Sequence, residues 1–186
     1  MSPAGDRGTI DQAMSRQNAQ RRRPRLAPKV YAEVGVICST TIAVKGRAPV
    51  FADPDVAAAA VDVLRRHAAA TGVPVYAWCV MPDHIHLILG ASPTCDIVTF
   101  VGQFKNLTQR EAWRRGVKGT FWQTSFWDHF LRGDERLSQA IEYVLHNPVR
   151  SGLVERWRDY RFSGSIVYEL ADAGGGQAPA LRRKSG

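Results

Sequence analysis

The stretch 74-PVYAWCVMPDHIHLIL-89 decides how this chain folds. Two apolar runs, Pro74 to Met81 and His84 to Leu89, flank the segment Met81-Pro82-Asp83. Proline and aspartate are turn formers, so the two runs read as strands of one β-hairpin. Side chains alternate across a strand, which puts His84 and His86 on one face and Ile85 on the other. Two imidazoles on one face can hold a divalent cation. They also suit the solvated face of a half-buried strand, and the triplet alone does not choose. Asp83 can ligate the same ion, orient a histidine or simply make the turn.

Working outward, Val30 to Val44 is rich in β-branched residues and holds an expected first strand. Asp53-Pro54 offers an N-cap followed by proline in the first turn, and the helix it starts runs to Gly72, a suitable C-terminal cap. Beyond the hairpin, Ile97, Phe100, Phe104 and Leu107 recur at helical spacing, predicting a helix over roughly Asp96 to Arg115. Its other face carries Lys105, Arg110, Arg114 and Arg115. Trp122 to Leu131 (WQTSFWDHFL) suits a fourth strand. Asp134 then caps a third helix, which Asn147-Pro148 ends. The order β-α-β-β-α-β-α argues for an α+β fold, an antiparallel sheet with helices packed on it.

The third helix separates its residues by task. Leu137, Ile141, Val144 and Leu145 form one apolar stripe. Tyr143 and Asn147 fall well off it, on the side shared with Arg136 and Gln139. A tyrosine held beside cationic and amide groups can face a phosphate; an incidental exposed tyrosine is the plain alternative.

Composition bounds the partner. The 186 residues carry 25 Lys plus Arg against 17 Asp plus Glu, a net charge of +8, which favours a polyanion, nucleic acid before membrane. A solvated basic surface would give the same balance. Cys38, Cys79 and Cys95 lack zinc spacing; Cys79 reads as a buried apolar residue, and a reducing interior is expected. The first residues have no apolar signal core and no run reaches membrane-spanning length, so a cytoplasmic protein without a membrane partner is expected. Residues 1–29 read as a flexible basic arm, 30–170 as one domain and 171–186 as a flexible tail.

Three segments taken together carry a resemblance. They are CVMPDHIHLIL, FVGQFKNLTQ, and the run from FWQTSFWDHFL through YVLHNPVRSGLVERWRDYRFSGS. They resemble the REP-associated tyrosine transposases, within the single-tyrosine HUH endonucleases of the insertion-sequence type, over roughly residues 30–168. That resemblance implies a ferredoxin-like sheet, His84 and His86 as metal ligands, Tyr143 as nucleophile and Asn147 completing the metal shell. It implies single-stranded or hairpin DNA as substrate and Mg²⁺ or Mn²⁺ as the cation, with no organic cofactor. Two imidazoles alone would suit Mn²⁺ or Zn²⁺ better than Mg²⁺. Tyr160, in a closing motif, is the internal control.

The chemistry agrees with that implication. A phosphodiester repels a nucleophile, so a cation must polarise its oxygens, and a tyrosine that titrates near about pH 10 must lose its proton during attack. Lys105, Arg132 and Arg150 are expected phosphate contacts, or else solvated charges. Trp122, Phe126 and Trp127 can stack bases or form core. A non-cleaving binder of structured DNA or RNA and a water-using hydrolase are the rivals. Sequence leaves open whether the site forms in a monomer or across a homodimer.

Overall fold

The computed structural model describes residues 28–131, 134–171 and 180–184. Its elements run α1 (Pro28–Ala32), β1 (Ile37–Ala43), α2 (Pro54–Thr71), β2 (Val75–Met81), β3 (His84–Gly90) and α3 (Ile97–Arg114). They continue as β4 (Trp127–Leu131), α4 (Asp134–Leu145), α5 (Asn147–Arg150), β5 (Ser163–Gly164), β6 (Tyr168–Ala171) and β7 (Ala180–Arg183). Strands β4-β1-β3-β2-β5 form one sheet, and every pairing in it is antiparallel. The expected α+β architecture is the observed one.

Local chemistry sets the elements. Asp53 accepts the Asp55 amide and Pro54 opens α2, while Gly72 at φ 66° closes it in a conformation that glycine adopts without a Cβ clash. The Asp96 side chain likewise accepts the Thr99 amide at the start of α3. Strand alternation then divides the sheet. Cys38 and Ile42 of β1, Trp78 and Val80 of β2, and Ile85, Leu87 and Leu89 of β3 face α2 and α3. Phe100 and Phe104 are fully buried there, each contributing about 1.5–3 kcal/mol of transfer free energy. Ala77, Cys79, Met81 and Ile88 face the other way, against Leu137, Ile141, Val144 and Leu145 of α4. Small side chains at Ala77 and Cys79 leave room for that helix. At the β5 edge, a Cβ on Gly164 would stand 2.7 Å from the Trp78 ring, so glycine lets β5 lie on β2.

Val30 to Val44 holds the first strand as expected, at Ile37–Ala43; ahead of it Pro28–Ala32 is helical, and its Tyr31 is buried with its hydroxyl donating to Asp128. Three expectations need correction. The fourth strand starts at Trp127, because Trp122 is core: its ring packs against Phe51 and its indole N–H donates to the Lys105 carbonyl. Leu107 is exposed, and α3 buries Thr108 and Gln109 instead, Gln109 bridging Gly119 and Phe121. Part of the tail expected from residue 171 is strand: β7 pairs with β6 through Leu170 and Leu181. Residues 1–27 of the basic arm, with 172–179 and 185–186 of the tail, lie outside the described residues. No described helix is long and apolar enough to cross a membrane.

Candidate active site

The site forms on the α4 face, at the sheet end where β3 begins. β1 lies beside β3, with Thr41 opposite His86 and Ala43 opposite His84. Val44 donates its amide to the Asp83 carbonyl, and Phe51 donates to Pro82, so the loop after β1 holds the hairpin turn. Gln123 donates its backbone amide to Ala43 and its side-chain amide to Val44, closing the same end from the β4 side.

His84 and His86 converge, their Nε2 atoms 2.9 Å apart and their rings nearly perpendicular. Each Nδ1 has its own partner: Asp83 for His84, and the Thr41 hydroxyl, at 3.0 Å, for His86. Arg47 in turn pairs with Asp83 at 3.2 Å. Burial foremost, then His84, Arg150 and Arg47, pushes the His86 pKa down to about 3. Burial lowers that of His84 as well, against the pull of Asp83. Asp83 sits below its usual value although burial opposes this, because His84 and Arg47 donate to it. Both imidazoles are therefore neutral at physiological pH, the form that ligates a cation. Two donors at right angles, each about 2.1 Å from an octahedral ion, stand about 3 Å apart. The observed separation matches, and Asp83 and Thr41 occupy the places of the outer partners that orient ligating histidines.

Helix α4 brings Tyr143 to this pair. The Tyr143 and His86 rings lie edge to face with centroids 6.5 Å apart. Arg150 lies over the Tyr143 ring, its guanidinium carbon 3.6 Å from the ring centroid. Such a cation–π contact orients the phenol and keeps positive charge beside it. The apolar stripe expected on α4 is fully buried, and Tyr143 is half-buried beside it.

Asn147 is placed differently from the expectation. Helix α4 stops at Leu145, and Asn147 opens α5, which Pro148 continues. That break turns Asn147 inward, leaving it 8% exposed rather than on an outer face with Tyr143. Its Nδ2 donates to the Tyr143 and Val144 carbonyls, and its Oδ1 accepts from Arg150 at 2.8 Å. It therefore locks the junction that carries the tyrosine.

The remaining candidates separate. Lys105 donates to the Gln123 and Thr124 carbonyls at 2.6 and 3.3 Å, bracing the loop at the active end. Arg132 lies outside the described residues. Tyr160 donates its hydroxyl to the Val80 carbonyl at 2.7 Å, and burial raises its pKa. Cys79, opposite His86, is fully buried, and burial pushes its thiol up to about 12. Thr41 and Arg47 were not singled out in the sequence. Their part depends on β1 lying next to β3, which no local motif announces.

The fold and the matching residues define a transposase: the chain belongs to the family described as "Transposase IS200 like", whose model matches residues 35–147. That span includes His84, His86, Tyr143 and Asn147. Within the family its branch is that of the REP-associated tyrosine transposases. A Haemophilus influenzae protein named for that branch is 31% identical over 120 residues, 57% of this chain and 68% of its own length. The REP-associated tyrosine transposase of Escherichia coli K12 is 29% identical over 89 residues, 48% of this chain and 52% of its own. The solved structure of a REP-associated tyrosine transposase bound to a REP hairpin aligns with a TM-score of 0.61 at 22% identity, over 78% of this chain and 81% of that one. At that identity it supports the fold alone.

Proposed function

We propose that this transposase is a metal-dependent single-strand DNA endonuclease and strand transferase, acting at hairpin or palindromic repeat DNA through a 5′-phosphotyrosine intermediate. The observation that carries the reading is the meeting of His86 and Tyr143 across the sheet–helix interface of one chain. Hairpin DNA as partner is supported by membership of the transposase family and by the similarity to the REP-associated branch.

His84 and His86 would hold Mg²⁺ or Mn²⁺, with Asn147 as a third donor if Arg150 releases its Oδ1. When bound, the cation polarises a non-bridging phosphate oxygen and offsets charge at phosphorus. Thr41 and Asp83 fix the imidazole rings by taking Nδ1, leaving each Nε2 toward the shared point. Tyr143 Oη attacks phosphorus, its proton passes to solvent, and the P–O3′ bond breaks to leave a protonated 3′-OH. The phosphotyrosine keeps the energy of the broken ester, so attack by another 3′-OH rejoins the strand without ATP. Arg150, whose guanidinium lies over the phenol ring, would meet the phosphate, and Lys105 and Arg132 are proposed as further backbone contacts.

One observation favours a second reading, a protein that holds structured DNA without cutting it: the Asn147 oxygen is taken by Arg150. A denaturing gel separates the two. End-labelled hairpin DNA with a single-stranded tail is incubated with Mn²⁺ and wild type, His84→Ala or Tyr143→Phe. A slow, protein-linked band in wild type alone supports strand transfer. Binding without that band supports the second reading. Nicking that survives Tyr143→Phe indicates water as nucleophile and overturns both.

A further inference from the structure

We propose that Trp127 is a stacking platform for an unpaired base next to the phosphate held at His84, His86 and Tyr143; the idea rests on the strand-transfer reading above. Trp127 is 44% exposed. Exposed tryptophans need no explanation one at a time, so the argument rests on where this one points. The other exposed tryptophan, Trp113, is fastened to a turn, its indole N–H donating to the Gly119 carbonyl at 2.7 Å. Trp127 opens β4, an edge strand of the sheet, at the same end as His84.

Register fixes its direction. Trp127 stands opposite Thr41, and Thr41 stands opposite His86. Directly paired residues project to the same side of a sheet. The hydrogen bond between Thr41 and His86 shows that this side is the site's. Phe126, one residue earlier, packs into the core under α2 and α3, as alternation requires. The indole thus lies in one row with the ligand histidine, with only a threonine between them. Two strand spacings make that separation about 10 Å between Cα atoms, within reach of one nucleotide or two.

The charges around the row suit a nucleic-acid strand. Asp128, the acidic residue of β4, faces away and accepts the Tyr31 hydroxyl at 2.7 Å, so it does not oppose a phosphate on this face. Lys45 and Arg47 follow β1 at this end of the sheet, both exposed, Lys45 donating to the Thr120 hydroxyl and Arg47 paired with Asp83. A flat apolar ring beside a phosphate site is the arrangement that binds unpaired bases by their faces. It would grip the single-stranded tail, not the duplex stem, and would tolerate more than one base.

The test measures binding without cleavage, using full-length Tyr143→Phe protein with Mn²⁺ and hairpin DNA with or without a single-stranded tail. Trp127→Ala in that background should weaken binding of tailed DNA about tenfold or more, and Trp127→Phe should keep most of the affinity. One abasic position in the tail should weaken the parent by a similar factor and cost the Ala variant nothing further, as a double-mutant cycle requires. Hairpins without a tail should bind all three proteins alike. Equal affinity of parent and Trp127→Ala for tailed DNA overturns the proposal and leaves the Tyr143 chemistry standing. So does a loss that persists at every abasic position or on the tail-less hairpin. If the parent binds neither DNA, the reading beneath the proposal fails instead.

Discussion

The two faces of the central sheet solve different problems. The face under α2 and α3 is filled with large side chains, among them Phe51, Trp78, Phe100, Phe104 and Leu87, all buried. The face under α4 has a smaller apolar patch around Ala77, Cys79, Ile88 and Ile141, and at its open end it carries His84, His86 and Tyr143. The first face supplies most of the apolar burial. The second gives up packing at its end to hold polar groups that are half-buried and aimed at one another. Substitutions on the first face should therefore act on stability, and those at the end of the second on chemistry.

The largest expected effect lies on the second face. His86→Ala should lower the yield of protein-linked DNA about a thousandfold or more, as loss of several kcal/mol of transition-state stabilisation implies, with little change in melting temperature. A large drop in melting temperature would blur the division between faces. Next comes Phe100→Ala, which should destabilise by about 3–5 kcal/mol in denaturant titration, while the folded fraction keeps its product yield. Thr41→Val removes the hydroxyl that holds His86. It should weaken Mn²⁺ binding about 10- to 100-fold by calorimetry without unfolding the chain.

A pH titration sharpens the contrast further. An unfolded-chain histidine titrates near about 6.5, whereas burial keeps His86 neutral down to about 3. Between those values the unfolded chain binds the extra proton. The contribution of His86 to metal-free stability is thus complete above the unfolded value and is lost as pH falls through the window. His86→Gln should flatten that acid limb in chemical denaturation. The smallest effect belongs to Tyr160→Phe, which loses one hydrogen bond to Val80, about 1 kcal/mol of stability, and should leave adduct formation unchanged.

Much of this was legible in the chain. Alternation around Met81-Pro82-Asp83 gave the hairpin and put both histidines on one face. Asp53-Pro54 with Gly72, and Asp96, bounded two helices through side chains that act locally. What stayed hidden depended on distant partners. Pro28–Ala32 is helical inside a β-branched stretch because Tyr31 anchors it to Asp128, almost a hundred residues on. Trp122 and Trp127 sit in the same aromatic run, yet one is core and one faces solvent, a split fixed by the loop that Lys105 and Gln123 tie down. Asn147 was readable as a helix-ending residue, but not as a buried lock. Its burial follows from the turn between α4 and α5 and from Arg150 folding back over Tyr143.

The most direct test of the central claim is mass spectrometry of the protein–DNA adduct after tryptic digestion. Residues 137–150 leave trypsin as one peptide containing Tyr143, and residues 159–161 leave as another containing Tyr160. A nucleotide remnant on Tyr143 of the first peptide, formed only with the divalent cation present, is the predicted result. A remnant on Tyr160, or metal-dependent cleavage with neither peptide modified, would contradict the account.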